Sequence, residues 1–232
     1  MSIPLFPVYL FDVDGTLVDS AADICGAVQC VLATAGRTDV EEDFLRGYIG
    51  RHLLDLFEDL FPKHTPEQIE AMIVEYRRVY PARNHSMTHL YAGVIEGLAS
   101  LPGQKSTATT KGTPTTRIVL EKFGLLPYFN HVQGTDGFPA KPNPDVIYAA
   151  LDAMGASTAD CLFVGDSSAD MEAAKRAGVK SCAVTYGYGT REALGVWEPD
   201  YWISDLRELA ALASQTGDLA DGARELATGM KQ

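Results

Sequence analysis

The apolar positions change rhythm near residue 90, and that change divides the chain into two territories. One apolar run, residues 7–11 (PVYLF), opens it and reads as a buried strand. Residues 20–36 then follow a helical period, with Ile24, Ala27, Val28, Val31 and Leu32 on one face, Ser20 as N-cap and Gly36 as stop. Shorter helices are predicted over 40–49 and 51–61. A longer one runs over 66–80, with Pro66 in its first turn. No strand is predicted between Thr16 and about Leu90.

Beyond Tyr91 short strands and helices alternate. Helices are predicted over 93–101, 114–123, 145–154, 169–177, 191–194 and 206–213. Strands are predicted over 104–110, 131–134, 161–164, 181–185 and 201–203. Such alternation builds a parallel sheet with helices on both faces, an α/β doubly wound, Rossmann-like core. The opening strand belongs to the same sheet. The helical block is therefore an insertion: residues 1–19 and 89–213 form the core, residues 20–88 an α-helical cap, and residues 214–232 a polar tail.

Composition narrows the class. The chain is 46% hydrophobic and 22% charged over 232 residues, ordinary for a soluble globular protein. Its apolar runs are too short for a membrane span, and the N-terminus lacks a basic segment ahead of its apolar residues. The formal charge of −12, with scattered Lys and Arg, argues against nucleic acid and anionic membranes as partners. Cys25, Cys30, Cys161 and Cys182 have no CxxC spacing and lie in apolar contexts, so they read as reduced core or near-core residues of a cytoplasmic protein.

The chemistry starts at residues 11–20 (FDVDGTLVDS). Asp12 and Asp14 leave the strand end on the same side, so two carboxylates converge there. Gly15 and Thr16 allow a sharp turn and offer donors to an anion. Such a pair needs either a cation to offset it or a division into nucleophile and proton carrier. Ligands of a doubly wound sheet bind at the carboxyl ends of its strands. Thr109, Thr110 and Lys111 close one strand, Lys141 lies in AKPNPD, and Asp166 follows 161–164, with Asp170 four residues on. Each has an ordinary alternative: Thr109 a strand residue or helix cap, Lys141 a solvated loop lysine, Asp166 an N-cap, Asp170 a first-turn acid. Their convergence on one end of one sheet favours a single site. There Asp12, Asp166 and the Asp14 carbonyl could hold Mg²⁺, a hard cation that prefers oxygen. Lys141 would neutralise carboxylates and a phosphate, and Thr109 and Thr16 would bind phosphate oxygens.

The motifs DVDGT, Thr109, KPNPD with Lys141, and GDSSAD resemble the four signatures of the haloacid dehalogenase superfamily over about residues 1–213, and the insertion resembles its helical cap of the C1 type. The nearest likeness within it is to the phosphoglycolate phosphatases. That resemblance implies a Mg²⁺-dependent phosphatase in which Asp12 forms an aspartyl-phosphate, Asp14 carries protons, and Asp12, Asp14 and Asp166 bind the metal. It implies that Asp170 supports Lys141, that a small phosphorylated metabolite is the substrate, and that the chain is a monomer or homodimer. An acid at Asp14 favours phosphoryl transfer over dehalogenation. The departures are Thr110 in place of the usual Asn, Gly112 and Ala92 in place of frequent prolines, and Arg51 in the cap segment YIGRHLLDL. Arg51, with His52, is expected to read the leaving group, since a guanidinium suits a carboxylate or second phosphate. A phosphomutase of the β-phosphoglucomutase type and a phospho-accepting receiver-like signalling module are the alternatives.

Overall fold

The computed structural model describes residues 3–210. Its core is a five-stranded, wholly parallel sheet of β1 (Val8–Phe11), β4 (Gln104–Thr107), β5 (Cys161–Gly165), β6 (Lys180–Val184) and β7 (Tyr201–Ile203), in the order β4-β1-β5-β6-β7. β1 and β5 are short apolar runs because both faces are covered. Tyr9 and Phe11 of β1 point into a core with Val94 and Leu98 of α5 (Val94–Ser100) and Val119 and Leu120 of α6 (Thr113–Lys122). Val8 and Leu10 point the other way, onto Val146, Ile147 and Leu151 of α7 (Asp145–Met154) and Ala173, Ala174 and Ala177 of α8 (Ser168–Ala177). This is the alternation of side chains across a strand, filled on both sides.

Between β1 and β4 the chain makes α1 (Ala21–Thr34), α2 (Glu42–Arg46), α3 (Leu53–Leu60) and α4 (Pro66–Ala82). These pack about a hydrophobic cluster of their own, including Val28, Val31, Leu45, Phe57, Ile69 and Ile73. A capping box at Thr65 and Gln68, with Pro66 in the first turn, starts α4.

Several sequence expectations are corrected. A strand does occur between Thr16 and Leu90: β2 (Val18–Asp19) pairs antiparallel with β3 (His89–Leu90), clasping the two chain crossings into and out of the helical block. Two-residue strands carry no periodicity to read. The strand expected over 131–134 is reduced to one bridge, Ser106 to His131. There the Thr107 hydroxyl replaces the ladder, donating to the Gln133 carbonyl (2.8 Å) and accepting from the Gln133 amide (2.9 Å). β4 stops at Thr107. Ser20 makes no side-chain cap for α1, because its hydroxyl donates to Asp14 instead. The cysteines are free, but Cys30 is exposed, since α1 turns it away from the face holding Val28, Val31 and Leu32. A short helix, α9 (Arg191–Gly195), precedes β7, and helical backbone begins again at Glu208. The rest of the helix expected over 206–213, and the polar tail, lie outside the described residues. Among the described residues no helix is long and apolar enough to cross a membrane.

Candidate active site

The order of the sheet has a switch at β1: β4 was laid on one side and β5 on the other. Crevices form at such points, outside the carboxyl ends of the strands. Here β1 delivers Asp12 and β5 delivers Asp166, both buried, into that crevice. Lys141, wholly buried, brings its Nζ to 2.9 Å from Asp12 Oδ1 and ion-pairs with Asp170 Oδ1. Asp170 Oδ2 accepts from the Ser167 amide (2.9 Å) and hydroxyl (2.6 Å), as the capping box of α8. Ser167, not Asp166, is therefore the N-cap of that helix, and Asp166 is left for other work. Its Oδ1 accepts from the Thr16 hydroxyl (3.0 Å) and its Oδ2 from the Tyr188 amide (2.8 Å).

Asp14 sits one step outward. Its Oδ1 accepts from the Ser20 hydroxyl at 2.6 Å, and its Oδ2 lies 3.2 Å from Lys111 Nζ. Lys111 also donates to the hydroxyl of Tyr80 on α4 (3.0 Å), so one ammonium joins core to helical block. The amides of Gly15 and Thr16, expected to face an anion, are engaged by the Val18 and Val13 carbonyls. Among the described residues the Val13 and Asp14 amides are the ones the turn leaves unengaged. Gly15 has φ +90, and a Cβ there would fall 2.2 Å from Asp166 Oδ2, so the turn needs glycine for its conformation and for that close approach. Thr109 is buried, its Oγ1 accepting from the Lys111 amide (3.3 Å); Thr110 and Lys111 line a cavity.

That cavity, of about 520 Å³, lies between core and helical block, with Asp14 and Thr110 on one wall and Arg51 and His52 on another. Arg51 is held 3.5 Å from Asp55, its guanidinium stacked over Tyr48 (4.6 Å). His52 is occupied as the cap of α3, where its Nδ1 accepts from the Leu54 amide. Ser20, Tyr80, Ser167 and Tyr188 complete the site and were not foreseen. Tyr188 could have been: it follows β6 in a Gly-flanked loop at the carboxyl end of the sheet, where ligands collect.

The electrostatics are crowded. Burial pushes Asp12 up to about 6, against the pull of Lys141. Asp166 is raised well above the carboxylate range by burial, then by Asp170 and Asp12. Burial opposes the charge of Lys141, but Asp12 and Asp170 outweigh it and hold the ammonium protonated. Four carboxylates thus face two ammonium groups. Asp12, Asp166 and Asp170 each present an oxygen within 4.8 Å of the others. Asp12 Oδ1, though close to Lys141, has no hydrogen bond of good geometry among the described residues. An under-bonded buried carboxylate in an acidic cluster of hard oxygens fits a divalent cation. Asp170 is committed to the Lys141 ammonium and to two bonds from Ser167. Asp12 Oδ1 lacks a hydrogen bond among the described residues, and each Asp166 oxygen accepts a single bond from an uncharged donor, so Asp12 and Asp166 keep lone pairs for a cation.

Known proteins resemble this chain in sequence and fold. The family model described as haloacid dehalogenase-like hydrolase matches residues 9–184. Phosphoglycolate phosphatase 1 of Pseudomonas aeruginosa is 33% identical, over 90% of this chain and 80% of its own. Phosphoglycolate phosphatase of Vibrio parahaemolyticus is 34% identical, over 86% and 92%. A haloacid dehalogenase-like family hydrolase from Streptococcus pneumoniae superposes with a TM-score of 0.81 at 27% identity, over 89% of this chain and 97% of that one. With the family model covering most of the chain and the two relatives matched over 80% and 92% of their length, the chain belongs to the haloacid dehalogenase-like hydrolases.

Proposed function

We propose that the chain is a Mg²⁺-dependent phosphatase that hydrolyses a small phosphorylated metabolite through an aspartyl-phosphate. The observation that carries the reading is Asp12: a buried carboxylate at the switch of the sheet, neutralised on one side by Lys141 and under-bonded at Oδ1. A carboxylate so placed is an activated nucleophile. Attack on phosphorus breaks the bond to the leaving oxygen, which takes a proton from Asp14. In the second half a water gives its proton back to Asp14 as it attacks phosphorus, and the Asp12–phosphorus bond breaks to release phosphate. Lys141 spreads positive charge over the reacting carboxylate, while Thr109 and the Val13 and Asp14 amides are the donors available to phosphate oxygens. Mg²⁺, held by Asp12, Asp166 and the Asp14 carbonyl, would supply the charge that lets a phosphate dianion approach this acidic cluster.

Asp14 is supported in the proton-carrying role by its position between a hydroxyl and a lysine at the mouth of the cavity. The curated relatives' names make 2-phosphoglycolate the first substrate to assay. Asp12→Asn is expected to lower phosphate release by about 10⁴-fold or more with the circular dichroism unchanged. EDTA should abolish wild-type turnover and Mg²⁺ restore it. An active Asp12→Asn enzyme would remove the nucleophile from this scheme.

A further inference from the structure

We propose that the helical cap contains an apolar leaving-group compartment, and that the preferred substrate is a phosphomonoester of an apolar alcohol, alkyl or aryl. The inference rests on the phosphatase reading and adds the class of alcohol. The cavity begins at Asp14 and Lys111, where phosphate chemistry would take place, and continues into the cap. On the cap side it is lined by Val28 of α1, Leu45 of α2, Ile49, Leu56 of α3, and Ile73 and Tyr76 of α4. All six belong to the hydrophobic cluster of the cap, so on that side the cavity is bordered by apolar side chains, with Arg51 and Arg77 beside them.

Size and charge point the same way. About 520 Å³ lies within the range of roughly 300–1,000 Å³ found for sites that enclose drug-sized ligands. A phosphate on a two-carbon acid leaves most of it unfilled. Each guanidinium on the walls has an acid beside it, Arg51 with Asp55 at 3.5 Å and Arg77 with Glu70 at 3.4 Å. A carboxylate on the leaving group would compete with Asp55 for Arg51 or lie unpaired against aliphatic side chains, and burying an unpaired charge is costly. An alkyl or phenyl group can lie against Val28, Leu45, Leu56 and Ile73 with no charge of its own to leave unpaired, and each methylene it buries favours binding.

The test is a series of n-alkyl phosphates from ethyl to hexyl, with phenyl phosphate and 2-phosphoglycolate, assayed with Mg²⁺ on the full chain. The expected result is a kcat/KM that rises about fourfold per methylene until the compartment is full. Val28→Phe should flatten that slope by filling the gap, and Ile73→Ala should move the plateau to longer chains. Either variant suffices if the other misfolds. A flat or falling series, with 2-phosphoglycolate the best substrate, would overturn the compartment and leave the phosphatase reading standing. Wild-type slopes in folded Val28→Phe and Ile73→Ala would also overturn it. Hydrolysis of none of these esters would overturn the phosphatase reading and this inference with it.

Discussion

Asp23 illustrates what a single residue contributes that its sequence neighbourhood conceals. In SAADICG it reads as an ordinary acid in the first turn of a helix. In the fold it is fully buried and holds the returning chain: Oδ1 is 3.3 Å from Arg83 Nε, and Oδ2 accepts from the Met87 amide (2.9 Å) and the Thr88 hydroxyl (2.7 Å). Those partners lie sixty or more residues away and carry no motif, so no local pattern reveals them. Asp23→Ala would leave the buried Thr88 hydroxyl and the Met87 amide unpaired and the guanidinium without its acid. A loss of about 3 kcal/mol in urea unfolding is expected. A loss under about 1 kcal/mol would mean that water replaces these bonds without penalty. Asp12, Asp14, Lys141 and Asp166 were legible for the opposite reason. They sit in short motifs whose chemistry needs those side chains at strand ends, and the structure brings them together there.

At the scale of elements, the strands that carry Asp12 and Asp166 were legible because they are buried on both faces. β1 and β5 are unbroken apolar runs, and the turn residues that follow mark their carboxyl ends. The elements that escaped are held by means that leave no period: the two-residue clasp of β2 and β3, and the segment at 131–134 tied to β4 through the Thr107 hydroxyl. The loop after β6 is another. Tyr188 binds Asp166 through its amide, while its hydroxyl accepts from the Ser20 amide (2.8 Å) and donates to Asp19 (3.0 Å), so the loop spans the proposed metal ligand and the root of the cap. Gly187 makes this approach possible, because a Cβ there would fall 2.3 Å from Asp166 Cβ and 2.5 Å from the Gly15 carbonyl oxygen. Gly187→Ala must push the loop off Asp166. The Mg²⁺ concentration giving half-maximal activity should rise about tenfold or more, the usual consequence of disturbing the outer partners of a metal ligand. An unchanged Mg²⁺ titration would show that the loop does not orient Asp166.

Across the whole molecule the dominant electrostatic fact is the net charge of −12, from 31 acidic and 19 basic side chains. Two effects of salt compete. Screening weakens ion pairs, but most of them are exposed, as between Arg78 and Glu75 or Lys175 and Glu198, and such pairs contribute only about 0–1 kcal/mol each. The pairs of Lys141 with Asp12 and Asp170 are buried, where mobile ions do not reach. Screening also relieves the mutual repulsion of the excess acids, a long-range term that acts on the whole compact state. At physiological ionic strength the screening length falls to about 8 Å, shorter than the separation of most of those charges. Relief of repulsion therefore outweighs the loss of surface pairs, and the melting temperature should rise by about 2–4 °C between roughly 10 mM and 150 mM NaCl. The measurement belongs in EDTA, so that a divalent cation at Asp12 and Asp166 does not add its own stabilisation. A fall in melting temperature over that range would mean that the surface pairs carry more of the stability than their exposure allows.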